Sequence, residues 1–217
     1  MDLFSAMENR RSARAYLDQP VSRADVEDIL QHAAMAPSAI NVQPWEYIIV
    51  YGKEKDRLVR RLRKAHAERR IGCGPGTATP LPETFKDRSR KASQAMRPAV
   101  TALGLQFNPF VEEGSCSFYG APVAIIVTID RLFPKIRCLD VGLSVAYLLL
   151  AAQAKGLATC PIGLITAYAE DIADVLEVAK NKEIILGIAL GYADGKSPVN
   201  RFKTERENLD NIRLWYE

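Results

Sequence analysis

Histidine is scarce in this sequence of 217 residues: His32 and His66 are the only two, and the four cysteines, Cys73, Cys116, Cys138 and Cys160, form no CxxC pair. These counts argue against a zinc site built from His and Cys and against a His-centred catalytic triad. If the chain is an enzyme, they point to something other than its own side chains as the carrier of the chemistry. No GxxxxGK[ST] or GxGxxG pattern occurs, and Cys73-Gly74-Pro75-Gly76 reads as a Gly-Pro turn, not a nucleotide loop. The scattered cysteines read as reduced thiols, and the opening stretch MDLFSAMENRRSARAY has no signal-peptide apolar segment. The longest apolar run, residues 143–152, is about ten residues long, against the roughly 20 that a bilayer crossing needs. The expectation is a cytoplasmic protein with no membrane partner and no metal.

What is present suits a globular core: 48% apolar residues, 25% charged, 13 Gly and 12 Pro. At roughly 100–200 residues per domain, residues 1–217 are expected to form one domain. The net charge of +3 is too small to call for nucleic acid, but it is unevenly placed. Residues 53–70, KEKDRLVRRLRKAHAERR, carry nine basic and three acidic side chains, or +6, which leaves about −3 for the rest. The run reads as a solvated amphipathic helix with Leu58, Val59 and Leu62 inward. RNA or an anionic ligand is the alternative, and no interleaved aromatics support RNA.

The order of elements follows from pattern. Residues 1–14 read as a helix, and Ser22 as the N-cap of a second over Arg23–Ala34, with Val26, Ile29, Leu30 and Ala33 on one face. Trp45–Tyr51, β-branched and aromatic, reads as a strand. Residues 71–84, with three Gly and three Pro, and residues 106–118 read as irregular, with a helix between them broken near Pro98. Such stretches are expected to shape a pocket or lid. Residues 121–129 read as a buried strand with its proline at the start. Residues 138–155 read as a helix apolar on nearly every face, ending at Gly156 and therefore surrounded by protein. An apolar stretch interrupted by Pro161 and Gly163, a helix over 171–180 and a third strong strand over 183–192 follow. The polar tail closes on Ile212, Leu214, Trp215 and Tyr216, and is expected to embrace a partner chain or add an edge strand.

Three clusters carry candidate chemistry. Arg10-Arg11-Ser12-Ala13-Arg14 offers guanidinium forks and a hydroxyl suited to phosphate, or else a solvent-facing helix end. Pro37-Ser38-Ala39-Ile40-Asn41-Val42-Gln43-Pro44 sets a hydroxyl and two amides on a proline-stiffened turn, for a ligand or for capping backbone. Pro161-Ile162-Gly163 lets backbone approach a flat ligand, and Asn200-Arg201-Phe202-Lys203-Thr204-Glu205-Arg206 adds cations, or the two are a loop and a solvated tail.

In order along the chain, RRSAR, APSAINVQPWEYIIV, FYGAPVAIIV, DVGLSVAYLLLAAQAKGLATCPIG and LGIALGYADGKSPVNRFKTERENL resemble the FMN-dependent nitroreductase family. The resemblance spans most of the chain and is least informative over 65–117, the part that varies among members. It implies an α+β fold: an α/β/α sandwich with a central, mainly antiparallel sheet, forming a homodimer with FMN at the interface and a C-terminal tail exchanged between subunits. By position, Arg10, Arg11, Ser12 and Arg14 resemble residues that hold the FMN phosphate, ribityl chain and pyrimidine edge, with Arg14 at N1–O2. Pro37, Ser38, Ala39, Asn41 and Gln43 resemble those that reach the flavin of the other subunit. Pro161, Ile162 and Gly163 match the stretch beside the isoalloxazine, where a backbone N–H faces N5, and Arg206, with Lys203 or Arg201, matches the cationic end that closes on the phosphate. The chain departs from the family at Gly163-Leu164, where many members carry an acidic or amide side chain.

The implied reaction is two-electron, ping-pong reduction of a nitroaromatic, a quinone or a similar electron-poor acceptor by NAD(P)H, with no catalytic side chain because the flavin carries the chemistry. The alternatives are relatives that act on flavin, halogenated phenols or unsaturated heterocycles, or a flavin-binding protein without turnover.

Overall fold

Alternation along one strand sorts the whole molecule. A computed structural model describes residues 1–74, 77 and 79–217. Among them four strands, β1 (Trp45–Tyr51), β2 (Val123–Asp130), β3 (Ala158–Ile162) and β4 (Lys182–Gly191), form one sheet in the order β1-β2-β4-β3. Every neighbouring pair is antiparallel. Successive side chains of a strand point to opposite faces, and β2 is apolar on both. Ala124 and Ile126 meet Leu58, Leu62 and Ala65 of α3 (Gly52–Arg69) and Ile172 of α7 (Ala169–Leu176). Val123, Ile125, Val127 and Ile129 meet Val26, Ile29 and Ala33 of α2 (Arg23–Ala34) and Val141, Leu148 and Ala152 of α6 (Cys138–Ala154). Burial of each such aliphatic side chain contributes about 1.5–3 kcal/mol, so the sheet is held from both sides. The result is the expected α+β sandwich.

Strand β1 begins and ends as read from sequence, and Ser22 caps α2 by accepting the Asp25 backbone N–H. Other boundaries differ. Helix α1 (Leu3–Asn9) stops before the arginines, because residues 10–14 find backbone partners on the sheet edge: Ser12 bridges Thr159, and Ala13 N donates to Thr159 O at 3.0 Å. Helix α4 (Glu83–Thr101) runs through Pro98, with Ala102 N donating to Pro98 O at 2.9 Å. The proline removes the one hydrogen bond its N–H would have donated to Gln94 O, and the helix continues past it to Thr101. Residues 107–116, expected to be irregular, form α5 (Phe107–Cys116). Pro109 is its third residue, where the missing N–H has no intrahelical acceptor, and the bare Cα of Gly114 lies against the Tyr119 ring, which a Cβ would overlap. Helix α7 ends at Leu176, where Glu177 turns left-handed with φ 53°. Residues 71–74 have no regular structure, while Pro75 and Gly76 of the expected turn lie outside the described residues.

Two apolar surfaces stay open. Helix α6 buries Val141, Ser144, Val145, Leu148 and Ala152, but Leu139, Leu143 and Tyr147 on its other side are exposed. The expectation of a helix surrounded by protein is therefore met on one face only within a single chain. Residues 135–154 are long and apolar enough to cross a membrane by length and composition alone, a test that the core helix of a globular protein also passes. The tail is tied by Arg88 Nε to Glu207 Oε2 at 2.7 Å, after which Ile212, Leu214, Trp215 and Tyr216 are exposed.

Candidate active site

The extended run after α1, the 199–206 segment and one face of α4 enclose a cleft of about 430 Å³. Arg10, Arg11, Arg14, Lys203 and Arg206 line it together with Ser12, and Glu8 is the only carboxylate among the lining residues. Asn200 fixes the walls: its Oδ1 accepts Arg14 N at 2.8 Å, and its Nδ2 donates to Ala15 O at 2.7 Å and Asp194 O at 3.0 Å. The arginine strand is thereby tied to the C-terminal wall on one flank and to β3 on the other.

Two guanidinium nitrogens in this cleft, Arg10 Nη1 and Arg14 Nε, are buried without a hydrogen-bond partner among the described residues. Buried charged donors left unpaired are costly and uncommon. Burial, and then the charge of Arg206, push the Arg10 guanidinium below its ordinary value. Arg206 itself folds onto its own loop, donating to Thr204 Oγ1 at 2.8 Å. Arg14 Nη1 donates to Ser12 O at 3.3 Å, and its guanidinium lies 5.8 Å from the Tyr119 ring centre and 5.9 Å from that of Phe202. Cations gathered against one another, with donors unspent, are complementary to a ligand carrying more than one negative charge, such as a phosphate monoester. Burial pushes the nearby Cys160 thiol up, away from thiolate character.

The remaining expected residues are placed elsewhere. Pro37, Ser38, Ala39, Asn41 and Gln43 occupy the turn after α2 and do not line the cleft. That turn is closed by Gln43 N donating to Ser38 Oγ at 2.9 Å and Gln43 Nε2 to Asn41 O at 3.2 Å. Ile40, Asn41 and Gln43 are left-handed, with φ of 46°, 58° and 47°. Pro161 and Ile162 end β3, the strand whose Thr159 is bridged to Ser12, and exposed Gly163 follows, its carbonyl accepting Thr166 Oγ1 at 2.8 Å. Of the two alternatives beside Arg206, Lys203 lines the cleft while Arg201 turns away, Nε donating to Gly195 O at 3.0 Å.

Sequence reading missed Ser89 and Ser93 of α4, which also line the cleft. Their spacing of four places them on one helix face, a signal visible only if 83–101 is first known to cover the arginines. Of the nine basic side chains in the run 53–70, four are in ion pairs: Arg61 and Arg69 with Asp171, Arg57 with Glu54 and Lys64 with Glu68. No cluster of metal-ligating side chains occurs among the described residues.

Comparison with known proteins gives the same outline. The model of the nitroreductase family matches residues 7–192. A 4-nitrobenzoate reductase of Pseudomonas putida is 32% identical over 95% of this chain and 92% of its own length. The FMN- and NADPH-dependent nitroreductase NfnB of sphigopyxis sp. strain HMH superposes with a TM-score of 0.90 at 26% identity, covering 100% of both chains. The FMN-dependent nitroreductase NfnB of Mycobacterium smegmatis, solved in complex with NADPH, does so at 0.88 and 29% identity, again over 100% of both.

Proposed function

The chain belongs to the nitroreductase family, and on that premise we propose that it is an FMN-dependent oxidoreductase that draws on NAD(P)H to reduce nitroaromatic acceptors. The observation that carries this reading is the pair of buried, unpartnered guanidinium nitrogens, Arg10 Nη1 and Arg14 Nε, in a cleft dominated by cations. The phosphate of FMN fits that requirement in charge and in acceptor number. Arg10, Arg11, Ser12, Lys203 and Arg206 would hold the phosphate and ribityl end, with Ser89 and Ser93 as hydroxyl donors from α4. Arg14 would face the pyrimidine edge, where a fixed cation stabilises negative charge. Gly163, with no side chain and open surroundings, would present its backbone beside the ring system after Pro161 and Ile162.

When bound, FMN would supply the two-electron chemistry between NAD(P)H and an electron-poor acceptor, and on this reading quinones join nitroaromatics as acceptors in a ping-pong sequence. What the protein must do is bind, orient and exclude water. The open side of α6, the turn with Pro37, Ser38, Ala39, Asn41 and Gln43, and the aromatic tail support a homodimer in which each chain completes its partner's flavin site. On this reading residues 1–217 are one flavin-binding domain, with 65–117 shaping the pocket.

The experiment is a visible spectrum of purified protein, followed by NADH and NADPH oxidation with and without a nitrobenzoate or a quinone. A flavin spectrum that bleaches with reduced nicotinamide and recovers on adding the acceptor is the expected result. A colourless protein that FMN cannot reconstitute overturns the proposal, and a flavin that does not bleach makes it a binding protein without turnover.

A further inference from the structure

We propose that Tyr119 and Phe202 are positioning residues that fix the guanidinium of Arg14 through contact with both aromatic rings, with Gly114 making the room that Tyr119 needs. The inference rests on the flavin-site reading above and goes beyond it, because Tyr119 does not line the cleft and reaches a ligand there only through Arg14. The guanidinium is 5.8 Å from one ring centre and 5.9 Å from the other, within the range where a cation is attracted to an aromatic face.

Tyr119 is held in this place at a conformational cost. It and Phe118 are consecutive non-glycine residues in the left-handed region, φ 52° and 50°. Such conformations are unfavourable for a non-glycine residue and persist where the surroundings over-determine them. The surroundings do so here. Phe118 is fully buried in the core between the sheet and α3, which anchors the turn. The Tyr119 hydroxyl lies 3.3 Å from Ser115 Oγ and from Val111 O, and its ring packs against Phe110, tilted by 50° with centres 5.7 Å apart. At Gly114 any Cβ would overlap the ring. Burial raises the hydroxyl above its ordinary value, so the ring stays neutral beside the arginine. Phe202, which lines the cleft, comes from the segment that also carries Lys203 and Arg206. Arg14 is thus steered by packing rather than by a carboxylate, which would neutralise it, and its Nε is left for a ligand.

The test uses the full-length protein, with FMN affinity read by quenching of flavin fluorescence and the midpoint potential of the bound flavin read by dye equilibration. Tyr119→Leu and Phe202→Leu are each expected to weaken FMN binding roughly 3- to 30-fold and to lower the midpoint potential, since a disordered cation stabilises the reduced flavin less. Tyr119→Phe, which keeps the ring, is expected to restore both. In an Arg14→Ala background Tyr119→Leu should add less than about two-fold, because coupled residues are non-additive. Should Tyr119→Leu fail to fold, Gly114→Ala displaces the same ring, and Phe202→Leu carries the test from the other ring. Wild-type affinity and potential in Tyr119→Leu and Phe202→Leu, or an equal loss with and without Arg14, would overturn the proposal. A wild-type protein that binds no FMN would instead sink the flavin-site reading beneath it.

Discussion

Replacing Arg10 with methionine should change two measurements in opposite directions. In the ligand-free protein Arg10 Nη1 is buried with no partner, and Arg206 adds like charge. Methionine keeps much of the side-chain length and removes that unpaired charge. Exchanging buried charge for apolar volume is often neutral or stabilising, so the melting temperature of the apo protein should hold or rise. Binding of FMN should suffer. A hydrogen bond to a charged group is worth about 1.5–3 kcal/mol, which corresponds to roughly a 10- to 150-fold higher Kd.

Both quantities are accessible on one preparation: thermal melting of apo protein by circular dichroism, and FMN titration at two salt concentrations. The melting temperature gained on adding saturating FMN should shrink as affinity falls, because a ligand stabilises in proportion to the logarithm of its concentration over Kd. If Arg10→Met destabilised the apo protein by several degrees while leaving the Kd within two-fold of wild type, Arg10 would be a packing residue, and its unpartnered nitrogen would say nothing about a ligand.

Three further outcomes follow from the same structure. Leu143→Glu, on the exposed side of α6, should convert a dimer to monomers that retain no FMN, read by light scattering with absorbance at the flavin band; a flavin-loaded monomer would contradict the shared site. Gly187→Ala, whose Cβ would run into Ile165 beneath β4, should cost about 1–3 kcal/mol by overpacking, read from the urea midpoint, and an unchanged midpoint would show that Ile165 yields freely. The Glu207 carboxyl is lowered to about 2 by the Asn211 side chain, then Arg88 and the Asn208 backbone N–H. For a carboxyl lowered in the fold, the favourable contribution is complete above its unfolded value of about 4.5 and is lost as pH falls toward about 2. Carbon-detected NMR should find it ionised at pH 4, and a midpoint near 4.5 would refute the tether.

The parts legible in the sequence are those where local chemistry and burial agree. Trp45–Tyr51 is β-branched and aromatic and also paired along its whole length with β2, so its limits are given by composition. Ser22 caps α2 because a serine before Asp25 satisfies an otherwise free N–H. Misreadings gather at breaker residues. Pro109 and Pro98 suggest irregular chain, yet Pro109 falls in a first turn, where its N–H would have no intrahelical acceptor, and α4 continues through Pro98 at the loss of one hydrogen bond. The arginine cluster and Lys203 were visible as residue types, whereas Ser89, Ser93 and Tyr119 were not, because ordinary residues gain meaning only from what they cover. The end of α1 was lost for a related reason: residues 10–14 have helix-forming arginines, and only the free edge of β3 makes the extended form better.

The proposed homodimer accounts for free energy that one chain by itself leaves unspent. Ile40 is 95% exposed in a backbone conformation that a β-branched residue seldom adopts, and it stands among the polar side chains expected to reach a flavin. No contact among the described residues covers that side chain. Leu139, Leu143 and Tyr147 on α6 are exposed as well, as is Trp215 at 72%. Contiguous apolar surface of this kind marks an interaction site more often than ordinary surface, and in the dimer reading these features have one remedy in common. A second copy would bury the α6 face, receive the tail and bring the Ser38–Gln43 turn to a cleft that this chain's own turn does not reach. Strain and exposure in the separate chain would then be recovered at the moment the flavin site closes, which couples cofactor retention to dimerisation through residues that touch no cofactor of their own.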